Sequence, residues 1–259
     1  MRGLNGMDDD RRGPSSSVAV GSVRALHAVA SRRDFVRLVG MGGALVLLPS
    51  IFTGCDDSSN TGGLTGPGTG NTVTIDFALG DVAVLQLAYA LEQLEADFYG
   101  RVVANFASSG FSTAEQAALS RIRDHERIHR DFLKATLGAS AGFSLTPVYD
   151  GVNFGNRASV LAAARTFEDV GVAAYNGAAQ YLTVAGNLLV AAKIVSVEAR
   201  HASIIRDMAS PLSSEFAPVP FDDVHRPTAV ATAAQAYLVD KLAFANAPTA
   251  FTPGPTGKG

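Results

Sequence analysis

The sequence predicts an all-α protein: an antiparallel four-helix bundle with one long crossover loop and a short extra C-terminal helix. Three observations predict it. Glu198-Ala199-Arg200-His201 repeats the Glu-x-x-His spacing of Glu126-Arg127-Ile128-His129, 72 residues earlier. Residues three apart on a helix lie on one face, so each pair aims a carboxylate and an imidazole at the same point. Four long segments carry apolar stripes at steps of three and four, each interrupted at mid-length by Glu. Finally, about 18 residues rich in Pro and Gly separate the second segment from the third, long for a link between antiparallel neighbours.

The chain has 259 residues, 47% hydrophobic and 17% charged, enough for one well-filled domain with appendages. A single Cys and no Trp exclude a disulfide framework and a zinc–cysteine site. Residues 1–55 carry seven Arg against four Asp, net +3; residues 56–259 carry 14 Lys/Arg against 20 Asp/Glu, net −6. No basic stripe interleaved with aromatics occurs in the second part, which argues against a nucleic-acid partner.

Residues 1–55 read as a leader. Residues 1–30 lack a periodic apolar pattern. Arg32-Arg33 then precedes an apolar run from Leu38 to Phe52, too short to span a bilayer permanently. The paired Arg with Phe35 resembles a twin-arginine export signal. Phe52-Thr53-Gly54-Cys55 resembles a lipoprotein cleavage box with Cys55 as the lipidated residue, although Phe52 stands where Leu is usual. Residues 56–72, rich in Gly, Ser, Thr and Asp, read as a flexible tether.

Residues 73–210 form the expected bundle. The first helix is predicted from Asp76 to about Phe106, with the stripe Leu85, Ala88, Glu92, Glu95, Tyr99, Val102, Phe106. Ser112 starts the second, with Glu115 completing a capping box, and Gly138 ends it. Its stripe is Leu119, Ile122, Glu126, His129, Leu133. The third helix is expected over about 158–184, with Leu161, Ala164, Glu168, Gly171, Tyr175. The fourth follows Gly186-Asn187 and runs to about Met208, with Ala191, Ile194, Glu198, His201, Ile205. The extension 211–259 holds one more helical stretch, about Thr228 to Phe244, and its last residues read as disordered.

Helices two and four share one pattern, and helices one and three another, with Glu92 seven before Tyr99 and Glu168 seven before Tyr175. A helix pair used twice implies pseudo-twofold symmetry. The repeat makes Glu92 the equivalent of Glu168 and the candidate bridging ligand. Glu95 has no partner in the repeat, where Gly171 holds the equivalent position, and is an extra ligand, a proton donor, or a hydrated group at the site mouth. Tyr99 and Tyr175 are the catalytic candidates, read as core residues hydrogen-bonded to ligands rather than as radical carriers. His125, next to Glu126, is placed off the stripe and at the surface.

Carboxylates gathered in one core repel and are badly desolvated, and two divalent cations would cancel four of them. The ligand set is therefore Glu92, Glu126, His129, Glu168, Glu198 and His201, with Glu95 as a further member. Carboxylate and imidazole without thiolate suits a dinuclear Fe or Mn centre.

FALGDVAVLQLAYALEQLEADFYGRV, FEDVGVAAYNGAAQYL and AAKIVSVEARHASIIRDM resemble the bacterial ferritin-like domain family that includes desiccation-associated proteins, over about residues 74–210. The resemblance implies a ferritin-like bundle, often exported, with a di-iron or di-manganese site at the same six positions. Two function classes follow. One is an envelope-anchored metalloprotein with redox activity toward Fe(II), O2 or peroxide. The other is a non-catalytic structural or desiccation-protective protein whose metal only stabilises the bundle. Iron storage in a closed shell fits poorly with an anchor, tether and tail. The partners implied are metal ions, O2 or peroxide, and a membrane through Cys55; a homodimer is admissible.

Overall fold

A computed structural model describes residues 70–255. The leader, Cys55 and the tether as far as residue 69 lie outside the described residues.

Four long helices carry the fold: α1 (Asp81–Ala104), α2 (Thr113–Leu137), α3 (Arg157–Ala178) and α4 (Ala185–Ala209). They pack as two close pairs, α1 with α2 and α3 with α4, and the pairs face each other. End-to-end contacts fix the directions. Asp81, at the start of α1, bonds Thr183 and Asn187 at the start of α4. Arg157, at the start of α3, bonds Glu115 at the start of α2 and the Met208 carbonyl at the end of α4. Helices α1 and α4 therefore run one way and α2 and α3 the other. The chain must cross the full bundle length between Leu137 and Arg157, which explains the long connection. On its way the crossover is pinned to the middle of α1: Leu145 N–H donates to Gln93 Oε1 at 3.1 Å, and the Tyr149 hydroxyl to the Leu94 carbonyl at 3.0 Å.

Caps set the helix starts. The Ser112 hydroxyl accepts from Glu115 N–H, and Glu115 Oε2 accepts from Ser112 N–H at 2.8 Å, so the predicted capping box is present. Asn156 accepts from Ser159 N–H at 2.9 Å to start α3. No side chain caps α4; Asp81 of α1 instead anchors the turn that leads into it, accepting from Thr183 N–H at 2.8 Å, Val184 N–H at 3.1 Å and Asn187 Nδ2 at 2.9 Å. This places Gly186-Asn187, expected as the connection, inside α4. The preceding helix correspondingly ends early, at Ala178, with one 3-10 turn at Ala179–Tyr181.

The two ends of the domain differ from expectation. Residues Thr72–Asp76 form strand β1 rather than tether and helix, and Gly80 at φ 58° separates the strand and a 3-10 turn from α1. The C-terminal helical stretch divides into α5 (Pro227–Gln235) and strand β2 (Lys241–Ala245). The Gln235 side chain makes the break: Nε2 donates to the Asp240 carbonyl at 2.8 Å, and Oε1 accepts from Leu242 N–H at 3.1 Å. The strands pair in parallel, Thr72 beside Lys241 through Asp76 beside Ala245. Buried Asp240 ties three segments together, accepting from Asn71 N–H at 2.9 Å and Thr146 N–H at 2.6 Å. The tail also has fixed contacts as far as Thr252, where Tyr181 donates to the Ala250 carbonyl and Thr252 N–H to Gln180.

The crossover and the C-terminal extension form a layer over α1 and α3. That layer explains why both helices are buried nearly all round, with Leu87, Leu94, Phe98, Phe167 and Ala173 as inaccessible as the inner stripes. Helices α2 and α4 leave their outer faces uncovered, so their buried residues are few and recur at helical spacing.

A hydrogen bond to a charged group contributes about 1.5–3 kcal/mol. Asp81 is partly exposed but serves several donors at once, so Asp81→Ala is expected to cost about 1–2 kcal/mol. A urea-unfolding midpoint equal to wild type at unchanged slope would refute the anchoring of α4 by Asp81.

Candidate metal centre

The six predicted ligands meet at the centre of the bundle, between the two helix pairs. Glu92, Glu126, Glu168 and Glu198 are each 0% exposed, and His201 is 4% exposed. They form two groups whose facing atoms lie within 4.8 Å of one another: Glu92, Glu126, His129 and Glu198 in one, Glu126, Glu168, Glu198 and His201 in the other. Glu126 and Glu198 belong to both. The shared position is thus that of the Glu-x-x-His carboxylates, not that of Glu92.

The contacts repeat about a pseudo-twofold axis. His129 Nδ1 lies 2.8 Å from Glu198 Oε1, and His201 Nδ1 lies 2.8 Å from Glu126 Oε1. Each imidazole is 3.6 Å from the carboxylate of a first or third helix, Glu92 for His129 and Glu168 for His201. Each Tyr hydroxyl donates across the axis: Tyr175 to Glu92 Oε1 at 2.6 Å, and Tyr99 to Glu168 Oε1. Burial, and then the adjacent carboxylate, push both phenols well above their ordinary range, so they remain hydrogen-bond donors.

What these atoms lack is informative. Glu92 Oε2, both oxygens of Glu126 and of Glu198, Glu168 Oε2 and both imidazole Nδ1 atoms are buried without a properly aligned hydrogen bond. They converge on common points instead of on one another. Buried polar atoms are almost always satisfied, and oxygen and nitrogen lone pairs converging without donors are what a cation needs. The residues fit a metal.

Without a cation the cluster has to share protons. Burial, then the charge of Glu198, lifts Glu126 to about 8 against the opposing pull of the two imidazoles. Burial lifts Glu168 to about 7. Glu198 is also penalised by burial, but the adjacent imidazoles of His129 and His201 outweigh this and hold it at about 2. Despite burial, the surrounding carboxylates raise His201 to about 12 and His129 well above its ordinary range.

Two residues break the symmetry. Glu95, one turn beyond Glu92, is 3% exposed and belongs to neither group. It lies beside the cluster and not within either group. Burial, then the charges of Glu198 and Glu92, push its carboxyl well up toward the neutral acid. His125 corrects a second expectation. It is half-buried, and its Nδ1 stands 2.9 Å from His201 Nε2 with the rings stacked. Burial first, then His201, keep His125 below its ordinary range, so it accepts and His201 Nε2–H donates. Its counterpart in the repeat is Val197, so symmetry gave no signal. The spacing of four from His125 to His129, which keeps them on one side of α2, is the trace it leaves in the sequence.

A family model described as a ferritin-like domain matches residues 80–211, more than half of the 259-residue chain. The chain belongs to the ferritin-like domain family. The match covers α1 to α4 and stops before α5 and the β1–β2 pair, so the outer layer over α1 and α3 lies largely beyond the ferritin-like domain. No curated protein matches the chain.

Ligation needs unprotonated imidazole Nδ1 and carboxylate. Since His129, His201, Glu126 and Glu168 hold protons near neutrality in the metal-free protein, metal uptake is expected to release protons. Apparent affinity should then rise with pH between about 6 and 8. Titration calorimetry in two buffers of different ionisation enthalpy checks this; identical heats would show that no protons leave.

Proposed function

We propose that the ferritin-like domain holds a dinuclear Fe or Mn centre and acts as an oxidoreductase toward Fe(II), O2 or peroxide. The observation that supports it most is the set of buried, unsatisfied oxygen and nitrogen atoms converging on two overlapping points. Glu92, Glu126, His129 and Glu198 would hold one ion, and Glu126, Glu168, Glu198 and His201 the other. When bound, such a centre supplies one-electron steps at each ion.

The protein's own contribution is positioning and dryness. Tyr175 and Tyr99 each occupy one oxygen of a terminal carboxylate, leaving the second oxygen directed inward. His125 takes the outer N–H of His201 and so fixes the ring and its tautomer, as outer partners of ligand imidazoles do. The apolar stripes above and below, Ala88 and Leu133 on one side and Leu161 and Ile205 on the other, exclude water. We extend the reading to location: Arg32-Arg33, the apolar run and Cys55 support export by a twin-arginine route and a lipid anchor in the cell envelope. Among the described residues no helix is long and apolar enough to cross a membrane.

Elemental analysis of protein purified from the exporting cell is expected to give close to two Fe or Mn per chain. Glu198→Ala and His129→Ala are expected to lose the metal, together with any Fe(II) oxidation or peroxide consumption. Variants that keep both would sink the assignment. A loaded wild-type protein inert to O2 and peroxide would favour the structural, stress-protective alternative.

Glu168→Gln tests the carboxylate pairing independently of turnover. It keeps the size of the side chain but removes a negative charge, and is expected to weaken metal binding by about 1–3 kcal/mol if Glu168 is a ligand. Equal metal affinity in the variant would remove Glu168 from the set.

A further inference from the structure

A shallow recess opens between α1, α3 and α5. Its walls are Leu91, Leu94, Phe167, Val170, Ala234 and Tyr237, and the single ionisable acid lining it is Glu95. It offers about 20 Å³ for the centre of a water-sized molecule, against the roughly 10–15 Å³ that one bound water needs.

Glu95 is an unusual group to find there. It is 3% exposed, and among the described residues no hydrogen bond or ion pair reaches its carboxyl. It lies one helical turn beyond the ligand Glu92 on α1 and also lines the recess, so it links the recess to the metal cluster. The opposite helix makes room for it. A Cβ on Gly171 would meet Glu95 Oε1 at 2.9 Å, and helical glycine costs about 1 kcal/mol relative to alanine.

We propose that the recess beside Glu95 is the entry and binding site for a small uncharged oxidant, with the Glu95 carboxyl as the polar group that meets it. A hydrated cation would have to shed water against apolar walls with a single carboxyl to replace it, and an anion would face the acid-rich cluster. A neutral molecule of two to four atoms, dioxygen or hydrogen peroxide, meets neither obstacle. Its consumption rests on the redox reading above, whereas the existence of the site does not.

Xenon tests the site without metal or turnover. Crystals of the metal-free and metal-loaded protein, pressurised with xenon, are expected to show the gas between Leu94, Phe167 and Tyr237. Ala234→Phe fills the space and should abolish the xenon peak and raise KM for the oxidant several-fold at unchanged metal content. Thr166→Trp, at an exposed position on the rim, gives the same KM result if Ala234→Phe does not fold. An empty recess in wild type, or wild-type KM in either folded variant, overturns the proposal. In Glu95→Leu, a raised KM for peroxide with the O2 value unchanged supports the role of Glu95 and assigns the recess to peroxide. Unchanged values for both oxidants overturn that role, and loss of metal makes Glu95 a ligand instead. Protein that binds no metal or consumes neither oxidant defeats the redox reading while xenon still reports the recess. An empty recess in protein that does consume oxidant defeats the recess alone.

Discussion

Four carboxyl groups at zero exposure in one core constrain everything else in this molecule. The idealised cost of transferring one carboxylate into a low-dielectric interior is of order 20 kcal/mol, and several kcal/mol remain after relaxation. No stripe of Leu and Ile at these positions offsets four such costs. The cluster is tenable because each acid has a prescribed neighbour: two imidazoles opposite two Glu, two phenols crossing the axis to the other two. Proton sharing on Glu126 and Glu168 removes part of the remaining charge. Cations would remove the rest. The centre and the bundle therefore depend on each other in the same currency of desolvation.

The helix pairing follows from that constraint. Each close pair brings one Glu–Tyr helix against one Glu-x-x-His helix, and the hydrogen bonds from Tyr99 and Tyr175 run between pairs, not within them. The halves are held apart by the space the cluster needs and together by the bonds that cross it. Symmetry is then broken at two positions only within the polar set, Glu95 against Gly171 and His125 against Val197. Both departures are on the α1–α2 half, so the two ends of the cluster are chemically distinct although their ligands are equivalent.

Much of this was legible in the sequence because the signals were periodic and doubled. The stripes of α2 and α4 are clean, since only one face of each is covered, and the repeat converted two weak tetrapeptides into one site. What stayed illegible depended on tertiary contacts between distant segments. Residues 241–245 have the composition of a helix continuation, and they extend only because Gln235 terminates α5 and β1 supplies ladder partners. Gly186 reads as a breaker, yet α4 runs through it because Asp81, on another element, fixes the turn just before it. His125 was hidden by the same repeat that revealed the ligands, having no partner at Val197. Which carboxylates the two groups share could not be read from spacing either, because every stripe points inward and only the packing of the helices decides it.

The β1–β2 pair has a consequence for synthesis. Thr72 finds its ladder partner in Lys241, and Asn71 its anchor in Asp240, 169 residues downstream. Contacts of such separation carry the largest loop-closure cost unless the intervening chain is already ordered. All six centre residues lie between the two strands, so the bundle can assemble while the ribosome is still adding the extension. The seam closes only after Ala245 has emerged. The first strand made is the last to be paired, and it waits on a finished core.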